Sequence, residues 1–141
     1  MSKIWDYQIR IYFDDEWSAL VRNDPANPAL APLMRALLPY DARLKCQLDS
    51  FAEFLAEAEA AGETQSPLYK WTKATLGDAE KCARHRKAFA VQVAGQTVYP
   101  ADIAEQLEAG LLPLVDGVRV TRVSKQDTNP DNNMPVPQEF R

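Results

Sequence analysis

Leu44-Lys45-Cys46-Gln47-Leu48-Asp49-Ser50-Phe51-Ala52-Glu53-Phe54-Leu55 is the stretch on which the fold turns. Leu44, Leu48, Phe51, Leu55 and Ala58 recur at helical spacing up to Gly62, a natural C-terminal cap, which reads as one continuous helix. The same residues carry a second pattern. Leu44, Cys46 and Leu48 alternate with Lys45 and Gln47 as a short strand, after which Asp49 or Ser50 caps a helix from Phe51 to Ala61. The second reading makes the first half of the chain β-α-β. A similar β-α-β can be drawn from the second half, and the outline then becomes ferredoxin-like with a helical insertion. On the residues alone both readings stand.

Upstream, Ile4 to Phe13 alternates, with Trp5, Tyr7, Ile9, Ile11 and Phe13 on one side and Asp6, Gln8 and Arg10 among those on the other, the period of a half-buried strand. Asp14-Asp15-Glu16 ends it and suits the first turn of a short helix carrying Trp17, Leu20 and Val21. A turn-rich break at residues 23–28 precedes Leu30, Leu33, Met34, Leu37 and Leu38, an amphipathic helix stopped by Pro39.

Downstream, Ser66-Pro67 reads as a helix start leading through Leu68, Trp71, Thr72 and Thr75, and a further helix follows Gly77-Asp78 up to Arg86. Residues 88–93 and 97–99 predict a hairpin with Gly95 in the turn. A helix from Pro100 to Gly110 and a strand at residues 118–121 complete the pattern. The expected fold is therefore α+β, with roughly four mainly antiparallel strands and helices packed on one face. It occupies residues 1–125 as one domain, and residues 126–141, rich in Pro, Asn and Asp without hydrophobic periodicity, form an extended or disordered tail.

Composition bounds the function. The chain has 141 residues, 46% of them hydrophobic and 26% charged, which suits one folded core. A formal charge of −4 gives no overall attraction for a phosphate backbone or an anionic membrane, so nucleic acid is not the expected partner. Neither a signal-peptide pattern nor an apolar run long enough to span a bilayer is present, and two cysteines are too few for a disulfide framework. The expectation is a soluble, cytoplasmic protein with reduced thiols.

The densest chemistry is Lys81-Cys82-Ala83-Arg84-His85-Arg86-Lys87, which holds the chain's single histidine among four permanent cations. On a helix Arg84 and Lys87 lie three apart and Lys81 and His85 four apart, so their heads can converge on a phosphate, a carboxylate or an acidic partner. The competing role is internal. Residues 49–63 carry Asp49, Glu53, Glu57, Glu59 and Glu63 without a base, and packing them beside residues 70–87 would neutralise both faces in surface ion pairs.

Other patterns fall short. Cys82, His85 and Cys46 lack the spacing of a zinc site, so no metal is expected. The run from Asp127 begins like a calcium loop, but Asn132 replaces its glycine and Pro135 and Pro137 forbid the exit helix. Trp71 and Tyr69 beside Lys70 and Lys73 resemble a base-stacking surface, yet Trp71 shares a helical face with Leu68 and Thr72 and reads as core. Asp14 and Asp15 suit helix capping better than acid–base chemistry. Tyr7, Tyr12, Tyr69 and Tyr99 could line a pocket or sit ordinarily at a sheet surface.

With no catalytic constellation and no cofactor motif, the sequence points to a small accessory or binding protein acting through protein contacts or self-association. Its expected contact surface is the aromatic N-terminal strand, the 81–87 cluster or the proline-rich tail with Met134, Val136 and Phe140 as anchors. The alternatives are a cofactor-free enzyme or ligand binder of the dimeric ferredoxin-like type, with His85, Tyr12 or Asp14 in a pocket, and local anion or nucleic-acid binding through residues 81–87.

Overall fold

The computed structural model describes residues 5–128 and 136–140. Their backbone is α+β, with four antiparallel strands in one sheet and six α-helices. In chain order these are β1 (Tyr7–Phe13), α1 (Asp15–Asn23), α2 (Ala31–Leu37), β2 (Ala42–Cys46), α3 (Gln47–Ala60), α4 (Pro67–Leu76), α5 (Ala79–Arg86), β3 (Ala88–Val93), α6 (Ala101–Leu111) and β4 (Val120–Asp127). The deciding stretch therefore divides as strand then helix, although the helix begins at Gln47, before the Asp49 or Ser50 start expected for it.

The sheet order is β2-β3-β1-β4. Strands β1 and β2 are parallel to each other with β3 between them, and β3 and β4 are parallel with β1 between them. That is the split β-α-β plan. Helices α3, α4 and α5 are inserted between β2 and β3.

Alternation along the strands builds the core. Ile9, Ile11 and Phe13 of β1 and Phe89, Val91 and Val93 of β3 face Leu33 and Leu37 of α2 and Ala104, Leu107 and Leu111 of α6. Phe13 meets Phe89 edge to face, with ring centroids 5.2 Å apart. Helix α1 starts where the sequence predicts, because Asp14 Oδ1 accepts the Trp17 amide at 2.8 Å and Asp15 and Glu16 sit in its first turn.

Two local expectations need correction. The turn of the expected hairpin exists, with Ala94 and Gly95 both at positive φ and Val93 and Gln96 exchanging main-chain hydrogen bonds. However, both edges of β3 are already occupied by β1 and β2, so residues 97–99 cannot form a strand beside it. Tyr99 instead exchanges main-chain hydrogen bonds with Tyr7 at 2.7 and 2.9 Å. Its hydroxyl accepts the Ile9 amide at 2.7 Å and donates to the Val91 carbonyl at 2.9 Å, entering the β1–β3 ladder.

The last strand is also displaced. Asp116 Oδ1 accepts the amides of Val118, Arg119 and Val120, so residues 118 and 119 belong to a turn and pairing starts at Val120. It then continues to Asp127, through polar residues that read as the beginning of a tail.

Candidate functional site

The basic cluster lies on α5, whose start is fixed by Asp78 Oδ1 accepting the Glu80 and Lys81 amides at 3.0 and 3.2 Å. The one-turn spacing brings Lys81, Arg84 and His85 to the same cavity, of about 550 Å³. Phe51 of α3 and Leu68 and Trp71 of α4 supply its apolar lining. Thr72 and Thr75 also line it, but their hydroxyls donate to the Leu68 and Trp71 carbonyls at 2.8 and 3.0 Å.

The rest of the cluster points elsewhere. Arg86 is exposed and does not line the cavity, and Lys87 Nζ lies 3.5 Å from Asp15 on α1. Internal neutralisation takes a different form from the one the charge blocks suggest. Helix α3 does pack on α4 and α5. Yet Asp49 pairs with Arg22 at 2.8 Å, Glu53 pairs with Lys45 at 2.5 Å, and Glu59 accepts the Tyr69 hydroxyl at 2.9 Å. Among the described residues no ion pair reaches Lys81, Arg84 or Arg86.

His85 is half-buried, its ring 4.9 Å from Phe51 in an edge-to-face contact and its Nδ1 2.8 Å from Gln47 Oε1. With that oxygen as acceptor, Nδ1 carries the proton of a neutral ring. Burial, followed by the charges of Arg84, Arg10 and Lys81, holds His85 below the ordinary imidazole value. The influence of Arg10 links this cluster to the sheet.

The tail supplies another wall. Residues 138–140 form a single 3-10 turn that packs against α4, and Pro137 lines the cavity. Val136 and Phe140 are half-buried, whereas Met134 lies outside the described residues. So do residues 129–135 of the calcium-like run, which leaves Asp127 as the end of β4.

The remaining sequence suggestions disperse. The Cys46 thiol donates toward the His85 and Arg86 carbonyls and the Cys82 thiol toward those of Thr75 and Leu76. Among the described residues no three His, Cys, Asp or Glu side chains are grouped to hold a metal. Tyr99 is buried in the ladder, Tyr69 faces Glu59, and Tyr7 and Tyr12 lie beneath Lys125 and Arg122 at 5.3 and 5.2 Å. Asp14 caps α1 and accepts from Arg119 at 2.9 Å, a pairing that Arg119 shares with Glu16. No helix of the described residues is long and apolar enough to cross a membrane.

Sequence reasoning missed the aromatic half of the site. Phe51 and Trp71 each lie on a stripe that reads as core, and only the packing of three short helices leaves them half-buried around a hollow. Comparison with known protein families, with curated proteins and with solved structures finds no match. The chemistry of the site therefore carries the functional reading.

Proposed function

We propose that this chain is a non-enzymatic binding module acting through protein contacts, and that the cavity between α3, α4 and α5 takes an acidic segment of a partner anchored by an apolar side chain. One observation carries the reading. Lys81 and Arg84, without an ion pair among the described residues, share a cavity with Phe51, Leu68 and Trp71. Carboxylates of a partner would complete those cations with charge-assisted hydrogen bonds, while an aromatic or branched side chain would fill the apolar part. Pro137 supports a polypeptide occupant, since a segment of the chain's own C-terminal region already contributes to this cavity.

A second reading rests on size. About 550 Å³ falls within the range of small-ligand pockets, so an apolar organic anion is the alternative occupant. Among the described residues His85 and Lys81 are the lining groups able to move a proton, and no described carboxylate lines the cavity beside them. This supports binding over acid–base catalysis.

Calorimetric titration with a short peptide of glutamates around one phenylalanine tests the proposal. Saturable binding is expected, with the glutamine version of the peptide much weaker and Arg84→Glu reducing affinity about tenfold, or about 1.4 kcal/mol. Equal binding of the acidic and neutral peptides would overturn it. Saturable binding of anilinonaphthalenesulfonate without binding of the acidic peptide would replace it with the small-ligand reading.

A further inference from the structure

The face of the sheet turned away from α1, α2 and α6 has a chemistry of its own. Strand alternation and register bring Ser124, Arg10, Ala90 and Lys45 into one row across all four strands. Arg122, Tyr12 and Ala88 form the next row, and Gln126–Gln8 and Gln92–Arg43 pairs lie on the other side. At strand spacings near 4.8 Å the four-strand row spans about 14 Å. Arg43 and Arg122 are exposed, and every other side chain named here except Ala88 is partly exposed.

The outward strand positions thus hold four cations and no acid. The acids at the margin include Glu53, paired with Lys45, Asp127, which shares a hollow with Gln8 and Arg10 at the end of β4, and Asp41, which shares one with Arg43 and Gln92. Arg122 lies over the Tyr12 ring and Arg10 Nε donates to Gln8 Oε1, so two guanidinium groups are held against the sheet. Screening over roughly 8 Å at physiological salt lets this face act separately from the chain's overall negative charge.

We infer that the outer face of the sheet binds single-stranded nucleic acid. Charge complementarity selects a polyanion and disfavours a second copy, because a two-fold pairing of these faces would oppose arginine to arginine. The outward strand positions carry no aliphatic side chain larger than those of Ala88 and Ala90, which separates nucleic acid from an acidic protein. Protein interfaces depend on apolar anchors seated in pockets, whereas phosphate contacts need only placed cations. The exposed Arg122 guanidinium, backed by the Tyr12 ring, offers a plane on which a base can stack, and Gln8, Gln92 and Gln126 offer amides for base edges.

For this one face the proposal departs from the expectation set by net charge, and it does not rest on the cavity reading. The test is fluorescence anisotropy with a labelled oligouridylate of about ten nucleotides. Four neutralised phosphates predict a fall in affinity of about 30- to 50-fold between roughly 50 and 200 mM salt. The Arg10→Gln/Arg122→Gln double variant, checked for folding by circular dichroism, should lower the logarithmic salt slope by about 1.4. Leu68→Glu, which alters the cavity, should leave oligonucleotide binding unchanged and abolish binding of the acidic peptide. No oligonucleotide binding at low salt would overturn the inference, as would equal binding of polyglutamate or an unchanged salt slope in the double variant.

Discussion

Tyr99 illustrates how much one side chain can fix. Its hydroxyl is the hydrogen-bond partner of both the Ile9 amide and the Val91 carbonyl, in a residue only 3% exposed. Burial pushes the hydroxyl above the ordinary phenol value against the opposing effect of the Ile9 amide, so it remains protonated and able to donate. Tyr99→Phe leaves two buried main-chain groups unpaired and should cost about 1–3 kcal/mol in urea unfolding. A loss within measurement error would show that the β1–β3 ladder closes without it.

His85 gives a pH signature at the same scale. Its folded value lies below the ordinary 6.5, so the unfolded chain takes up the proton first. Stability is therefore complete above about 6.5 and falls as pH drops below it, until the folded ring also titrates. An NMR titration should place the His85 midpoint below 6.5, and an acidic peptide in the cavity should raise it. Asp116 acts in the acid range. Three main-chain amides, that of Val118 foremost, hold its carboxyl below the ordinary value, and the stability this adds is present above that value and lost as pH falls through the folded one. Asp116→Ala should lower Tm at neutral pH and flatten the acid limb of the stability curve.

At the level of elements, periodicity made β1, α1, α2 and α6 legible because each buries one clean stripe or alternation against the core, whereas α4 and α5 were legible from the start signals at Ser66-Pro67 and Gly77-Asp78, α5 burying no residue fully. Residues 44–48 carried two periods at once, and tertiary pairing chose between them: Leu44 and Cys46 align with Val91 and Phe89 of β3. The same competition hid the rest. Residues 97–99 have strand character, but the position beside β3 was filled, and β4 runs through Ser124, Lys125 and Gln126 because it is an edge strand pairing only with β1. The basic half of the site was legible as a cluster on α5. Its aromatic half was not, since a stripe does not reveal whether its neighbours close over it. Capping is the testable link between sequence and element here. Asp14→Ala removes the α1 cap and a partner of Arg119, and should cost about 1 kcal/mol, with Asp14→Asn restoring most of it. Equal losses in thermal unfolding of both variants would assign the effect to the ion pair.

Across the whole molecule, charge is segregated rather than balanced. A chain of formal charge −4 places four cations on one sheet face and gathers Lys81, Arg84 and His85 at an apolar cavity. Of the five acids in residues 49–63, Asp49, Glu53 and Glu59 are directed to Arg22, Lys45 and Tyr69 rather than to α5. Two surfaces of different chemistry result, an apolar cavity with a basic wall and a basic sheet face. The cavity is the more specific of the two. Its most direct test is heteronuclear NMR of the full chain during titration with the glutamate–phenylalanine peptide, following the Trp71 indole and the α5 amides. Saturable shifts confined to α3, α4, α5 and residues 136–140, abolished by Leu68→Glu, are expected. Shifts spread evenly over the surface, or an unmoved Trp71 indole at saturation, would contradict the cavity reading.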